Sequence, residues 1–298
     1  MEIYNIPLAL TDDRAFLTAY LLEQRPEIAL SGRRPAIVIC PGGGFMTLSV
    51  RETEPLAIAF AAQGFQTFVL HYHTAQTGNA GWPQPMLDLA LALRTIREHA
   101  EEWNTAPSQV AILGASAGGN VCANLAVHWQ GPMVTDALGG SPELYRPDAV
   151  ILAYSLIDLS AQQESLSRDP AVDIPHPVYH NTLRDFHTQM EQTLQGNTSH
   201  ADGKNPCDPA RWVTDAVPPV FLWHTSMDEM VYVGNSLSFC QELHRQRVPF
   251  ELHVFEEGPH GLALSTKATA GKPEDIVPDN EVWLPLALRF LRRHKFVF

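Results

Sequence analysis

A chain of 298 residues that is 45% apolar and 18% charged, with no low-complexity tract or long charge block, can bury a sizeable core and is not a disordered protein. Its formal net charge of −13 speaks against nucleic acid or an anionic membrane surface as partner, because both require clustered Lys and Arg. No apolar run reaches the roughly 18 residues that span a bilayer. The first ten residues lack a secretory pattern, and Cys40, Cys122, Cys207 and Cys240 form no C-x-x-C pair, so we read reduced thiols and a cytoplasmic protein.

The segments Glu2 to Leu8 and Phe16 to Leu22 read as an antiparallel start, with Thr11, Asp12 and Asp13 at the turn. From about residue 36, short β-branched runs alternate with segments of helical period, the pattern of an α/β protein with a mostly parallel central sheet flanked by helices. Strands are predicted at Ala36–Cys40, Thr67–Tyr72, Val110–Leu113, Ala149–Tyr154, Val220–His224 and Phe250–Phe255. Most are unbroken apolar runs, as strands covered on both faces must be. Helices are predicted at Glu52–Gln63, Pro85–Trp103, Gly119–Trp129, Val233–Arg247 and Glu281–Arg293. The stretch from about 158 to 217 breaks the rhythm, being rich in Pro, Asn, Asp, Gln and His with one helical candidate near Leu183–Leu194. Long insertions of this kind are usually functional lids or disordered, and since this one follows one core strand and precedes the next we read a cap on a single domain covering 1–298.

The strongest chemical signal is Gly114-Ala115-Ser116-Ala117-Gly118, placed between a predicted strand and a predicted helix. That context makes G-x-S-x-G a nucleophile elbow, in which small flanking residues allow a sharp turn that lifts the serine hydroxyl clear of the backbone. A serine hydroxyl is a weak nucleophile at neutral pH and needs a base, itself oriented by a carboxylate. On this fold the chain order is Ser, acid, His. Asp228, just past the strand Val220–His224, and His260, in Gly258-Pro259-His260-Gly261 past Phe250–Phe255, satisfy that order. Asp158, which also follows a strand, is the rival acid. Attack on a carbonyl makes an oxyanion that needs backbone N–H donors. Gly43 and Gly44 of Pro41-Gly42-Gly43-Gly44, after the strand Ala36–Cys40, and Ala117 after the nucleophile are the candidates. No Lys-Ser/Thr follows the glycine run, so it is not read as a phosphate loop.

His71 and His73 at a strand end, with His176, His180 and His187 in the insertion, raise the question of a metal, but no acidic or cysteine set is spaced with them, and we read no metal site and no cofactor. Trp82, Trp103 and Trp223 read as core or pocket wall, and Trp82, in a loop past Thr67–Tyr72, is the one best placed to touch substrate, with Phe45, beside the glycine run, the other candidate contact.

These motifs resemble a known family, the prokaryotic α/β-hydrolases that include acetyl xylan esterases and related carbohydrate or short-chain esterases, near the hormone-sensitive-lipase type. The resemblance rests on Pro41 to Phe45, Ser49 to Glu52, Asp88, Gly114 to Gly119, Pro218 to Thr225 with Asp228, and His253 to Phe255 with Gly258 to Leu262, across most of residues 36 to 265. It implies the α/β-hydrolase fold and deacetylation of small acylated molecules, sugars among them, with Ser116, Asp228 and His260 as triad and Gly43, Gly44 and Ala117 near the oxyanion. Related lipases carry His where Pro41 stands, so the anchor of the glycine loop must differ here. An arylformamidase-like amidase would share every catalytic residue, and a non-catalytic ligand-binding relative is the alternative outside enzymes. A symmetric homo-oligomer is a further expectation.

Overall fold

The computed structural model describes residues 1–8, 12, 14–25, 27, 32–176, 181–195, 205 and 207–298. Eight strands form one sheet: β1 (Glu2–Pro7), β2 (Phe16–Leu21), β3 (Arg34–Cys40), β4 (Gln66–His71), β5 (Thr105–Ala115), β6 (Ala149–Ala153), β7 (Val220–Thr225) and β8 (Phe250–Phe255). Their order is β1-β2-β4-β3-β5-β6-β7-β8. The first two strands pair antiparallel with each other, β2 pairs antiparallel with β4, and the remaining pairings are parallel. The expected antiparallel start and parallel body are therefore both present. Of the expected turn residues, Thr11 and Asp13 lie outside the described residues.

Side chains alternate across the pleat, and the alternation divides the core in two. Val38, Ile112, Leu152 and Leu222 face one layer, which holds α2 (Gln84–Glu98), α3 (Ala117–His128) and α7 (Gly234–Arg245). Ile37, Leu113, Ile151 and Phe221 face the other, which holds α1 (Glu54–Ala61) and α8 (Trp283–Arg293). Strands β3, β5, β6 and β7 are thus covered on both faces and read as unbroken apolar runs. The edge strand β8 is only partly buried, which explains its alternating sequence Phe-Glu-Leu-His-Val-Phe.

Three further helices, α4 (Pro132–Leu138), α5 (Leu159–Arg168) and α6 (Leu183–Gln195), complete the fold. The helix expected near Leu183–Leu194 is α6. Neither α4 nor α5 was expected, and α5 corrects the reading of 158–217 as holding a single helix. Its sequence Leu-Ser-Ala-Gln-Gln-Glu-Ser-Leu-Ser-Arg buries only Leu159, Gln162 and Leu166, too sparse a stripe to stand out, while the Asp158 carboxylate caps it by accepting the Ala161 N–H at 2.9 Å. Cys40, Cys122, Cys207 and Cys240 are free and buried. No described helix is long and apolar enough to cross a membrane.

One buried polar knot ties the antiparallel strands to the parallel body. His73, past the end of β4, donates from Nδ1 to Asp88 Oδ2 at 2.8 Å and faces Asp12 Oδ2 through Nε2 at 3.1 Å, while Arg14 also holds Asp12. The hydrogen bond to Asp88 raises the imidazole from its ordinary value against the opposing effect of burial, and Asp12 adds to the rise. A histidine raised on folding stabilises the fold below its unfolded value, about 6.5, and that contribution is lost as pH rises through the folded value. The replacement His73→Gln is accordingly expected to cost about 1 kcal/mol at pH 5.5, with the solvent-facing Asp12 end discounted, and distinctly less at pH 8.5. Urea denaturation at the two pH values measures the difference.

Candidate active site

Because β3 and β5 to β8 are parallel, their carboxyl ends meet at one edge of the sheet, where open α/β sheets build their sites. The chain leaves β5 at Ala115, passes through Ser116 with φ of 52°, and enters α3 at Ala117. A left-handed serine at a strand-to-helix turn is the strained conformation of a nucleophile elbow. Gly118 is required there, since a Cβ on it would overlap the Cys40 carbonyl of β3.

The Ser116 hydroxyl lies 2.8 Å from His260 Nε2, and His260 Nδ1 lies 2.7 Å from Asp228 Oδ2. A carboxylate only accepts, so Nδ1 carries the hydrogen and Nε2 turns its lone pair toward the serine. Asp228 is 3% exposed and its other oxygen accepts the N–H groups of Met230 and Val231, both at 2.9 Å. Behind it, buried His224 donates from Nε2 to the Val231 carbonyl at 2.7 Å and lies 3.3 Å from Asp228 Oδ2. Burial alone would raise the Asp228 carboxyl, but the His260 charge and the hydrogen bonds from His224 and His260 outweigh it and hold the group far below the carboxylate range. Burial alone would lower His260, and the Asp228 carboxylate, helped by Glu52, reverses the sign and leaves the imidazole raised. The rival acid Asp158 is engaged elsewhere, capping α5 and accepting the Ser238 hydroxyl.

The glycine loop after β3 is anchored at two points. The Tyr72 hydroxyl donates to the Pro41 carbonyl at 2.7 Å, and the Gly42 N–H donates to Glu52 Oε2 at 2.6 Å. Among the described residues, the N–H groups of Gly43, Gly44 and Ala117 have no acceptor, so three donors remain beside Ser116. Helix α6 lies over this loop. A Cβ on Gly44 would stand 2.6 Å from the Phe186 ring, Thr193 reaches Met46 Sδ at 3.5 Å, and the backbone N–H of Trp82 donates to the Leu194 carbonyl at 2.9 Å. On the opposite side, buried His187 has Nε2 at 2.9 Å from the Met230 carbonyl, so that nitrogen donates, and burial pushes the imidazole down to about 4.

The structure thus brings Ser116, Asp228, His260, Gly43, Gly44 and Ala117 to one edge. Phe45 and Trp82 are both buried, Phe45 with φ of 61° in the glycine loop and Trp82 edge-on to His128 at 5.8 Å. Of the histidines weighed as metal ligands, His73 is tied to two carboxylates and His187 to a backbone carbonyl, while His180 lies outside the described residues. Among the described residues no group of three or more His, Cys, Asp or Glu is placed to hold a metal. Sequence reasoning missed His224, whose one signal is a polar side chain inside the apolar strand Val220–Thr225, and the connection made by Glu52 to Gly42.

A family model, BD-FAE, matches residues 26–243. Among curated proteins the chain is 32% identical to endo-1,4-beta-xylanase B of Butyrivibrio fibrisolvens over 78% of this chain and 33% of that protein. It is 31% identical to an acetylxylan esterase of Xylanibacter ruminicola, over 87% of this chain and 46% of that one. It therefore spans between a third and just under half of the length of these relatives. Among solved structures, a carboxylesterase from Lactobacillus plantarum WCFS1 superposes with a TM-score of 0.81 at 27% identity, covering 100% of this chain and 99% of that one. With the match extending over most of the chain and the sheet order and elbow described above, the protein belongs to the BD-FAE family, within the α/β-hydrolase superfamily.

Proposed function

We propose that the protein is a carboxylesterase that removes short acyl groups, acetyl above all, from small molecules such as acetylated sugars. The observation that carries this reading is the hydrogen-bonded chain Ser116–His260–Asp228 beside three unpaired N–H donors. In the proposed cycle Ser116 Oγ attacks the acyl carbon while His260 takes the hydroxyl proton, and Gly43, Gly44 and Ala117 hold the oxyanion. The C–O bond to the alcohol then breaks, His260 returns the proton to the leaving oxygen, and an acyl-enzyme remains. Water, deprotonated by His260, attacks the acyl-enzyme, the bond between the acyl carbon and Ser116 Oγ breaks as His260 returns the proton to that oxygen, and the acid leaves. These steps call for no cofactor.

The segment from about 158 to 217 acts in this reading as a cap on the single domain, with Phe45 and Trp82 as inner wall beneath α6. The Phe186 ring packs directly against Gly44 beside the proposed oxyanion donors, and similarity to an acetylxylan esterase supports acetyl as the group removed. Initial rates on p-nitrophenyl acetate, butyrate and octanoate test the claim, together with acetate release from acetylated xylo-oligosaccharides. Acetate is expected to exceed octanoate by about 10-fold or more in kcat/KM, since poorly accommodated methylenes are penalised at that scale. A preference for octanoate would overturn the short-acyl reading.

A further inference from the structure

Glu52 is 2% exposed, and among the described residues no cation pairs with it. Its neighbour Arg51 is turned away, to the Thr269 carbonyl at 2.7 Å and Asp275 at 3.0 Å. A buried carboxylate without a counter-charge is costly and persists only where hydrogen bonds or a nearby developing positive charge compensate it. Both compensations are present. Oε2 accepts the Gly42 N–H at 2.6 Å and Oε1 accepts the Tyr154 hydroxyl at 2.8 Å. The Tyr154 oxygen in turn accepts the Ala263 N–H at 3.0 Å, three residues past His260. The Tyr154 ring stands edge-on to the His260 ring, with centroids 5.1 Å apart. Burial and the Glu52 charge push the Tyr154 phenol well above its ordinary value, so it stays a donor to Glu52.

The backbone around this chain of bonds is strained in the same places. Phe45, Ser116, Tyr154 and Ala263 all have positive φ, at 61°, 52°, 38° and 52°, and none is glycine. Non-glycine residues held in that region persist only where their surroundings over-determine them, and they gather at working sites. Tyr154, immediately past β6, bonds both to the carboxylate that fixes the glycine loop and to the backbone of the histidine loop.

We propose that Glu52 and Tyr154 form a clamp that locks the oxyanion loop to the histidine loop, so that the two halves of the catalytic apparatus keep one register. This rests on the esterase reading above. Both are positioning residues, since neither touches the reacting atoms. The Glu52 charge favours a protonated His260 and disfavours the oxyanion formed in the same step, so in kcat the two electrostatic effects oppose each other and the clamp acts chiefly through geometry, whereas the His260 titration reads directly whether the clamp holds the Glu52 carboxylate within reach of the histidine loop. The titratable groups around His260 are Asp228, Glu52, Arg51 and Tyr154, with His176 and His187 in electrostatic reach.

The test measures kcat, KM and the acid limb of the pH profile with p-nitrophenyl acetate for wild type, Glu52→Gln, Glu52→Asp and Tyr154→Phe, and titrates the His260 imidazole by NMR in each. Glu52→Gln is expected to lower kcat about 10-fold or more with KM little changed, as misaimed oxyanion donors would, and to move the His260 titration downward by roughly half a unit or more. Tyr154→Phe, which keeps the charge, is expected to lose kcat with a smaller shift. Glu52→Asp, also charged but with a shorter reach, should behave likewise and serves where Glu52→Gln does not fold. Unchanged kcat in the folded variants, or an unmoved His260 titration in Glu52→Gln, would overturn the clamp. The NMR arm reads His260 without turnover, so a protein inactive on every ester would defeat the esterase reading and still leave the clamp tested.

Discussion

Replacing Ser116 by Ala is expected to lower kcat/KM for p-nitrophenyl acetate by about 10³-fold or more while leaving the fold intact. The fold should survive because alanine removes only the hydroxyl, whose described partner is His260 Nε2 at 2.8 Å. Activity should not survive, because the oxyanion donors at Gly43, Gly44 and Ala117 have no attacking atom to complement. The residual rate reports what binding and those donors achieve without covalent catalysis. A variant within 10-fold of wild type, shown to be folded by its melting transition, would remove Ser116 from the nucleophile's role and the esterase mechanism with it.

The replacement Asp228→Asn is expected to cost 10³- to 10⁴-fold, for a reason specific to this site. The Met230 and Val231 N–H groups converge on Asp228 Oδ1, so an asparagine there must present its oxygen to them and its amide nitrogen to His260. A donor facing Nδ1 forces the hydrogen onto Nε2, and the imidazole then offers Ser116 a proton where it should offer a lone pair. The serine remains in place, which makes the prediction separable from simple disruption. The amide should retain near-native stability, unlike Asp228→Ala, which would strand two buried N–H groups. Steady-state rates beside thermal melts of both variants check this, and an asparagine variant within 10-fold of wild type would show that the tautomer argument fails.

Much of the layout was legible because the parallel strands are covered on both faces. Ala36–Cys40, Val110–Leu113 and Val220–His224 are apolar runs for the same physical reason that they lie in mid-sheet, and the elbow glycines are forced by contacts that admit no side chain. The expected order of serine, acid and histidine came from the fold, since chemistry asks only that a serine have a base and the base an acid. What could not be read was the burial of polar groups. Glu52, Asp88, Gln162 and His224 are each buried, and nothing in a linear pattern separates a buried carboxylate with two hydrogen bonds from a solvated one. Helix α5 escaped for the converse reason, because its few buried side chains are scattered among Ser and Gln. The two aromatic residues singled out as substrate contacts were chosen by position in the chain, and their burial comes from packing in the helical layer that holds α2, α3 and α6.

The strands that bracket the stretch carrying α5 and α6 are immediate neighbours, with Ala153 of β6 opposite Trp223 of β7. Because the two strands are parallel, the stretch leaves β6 at the carboxyl edge of the sheet and re-enters β7 at the amino edge, so the ladder fixes both of its anchor points whatever lies between them. Loop closure costs little more for a long excursion than for a moderate one. In evolutionary terms the sheet works as a socket: selection can lengthen, shorten or exchange the inserted module without disturbing a single rung of the ladder beside which Ser116, Asp228 and His260 stand.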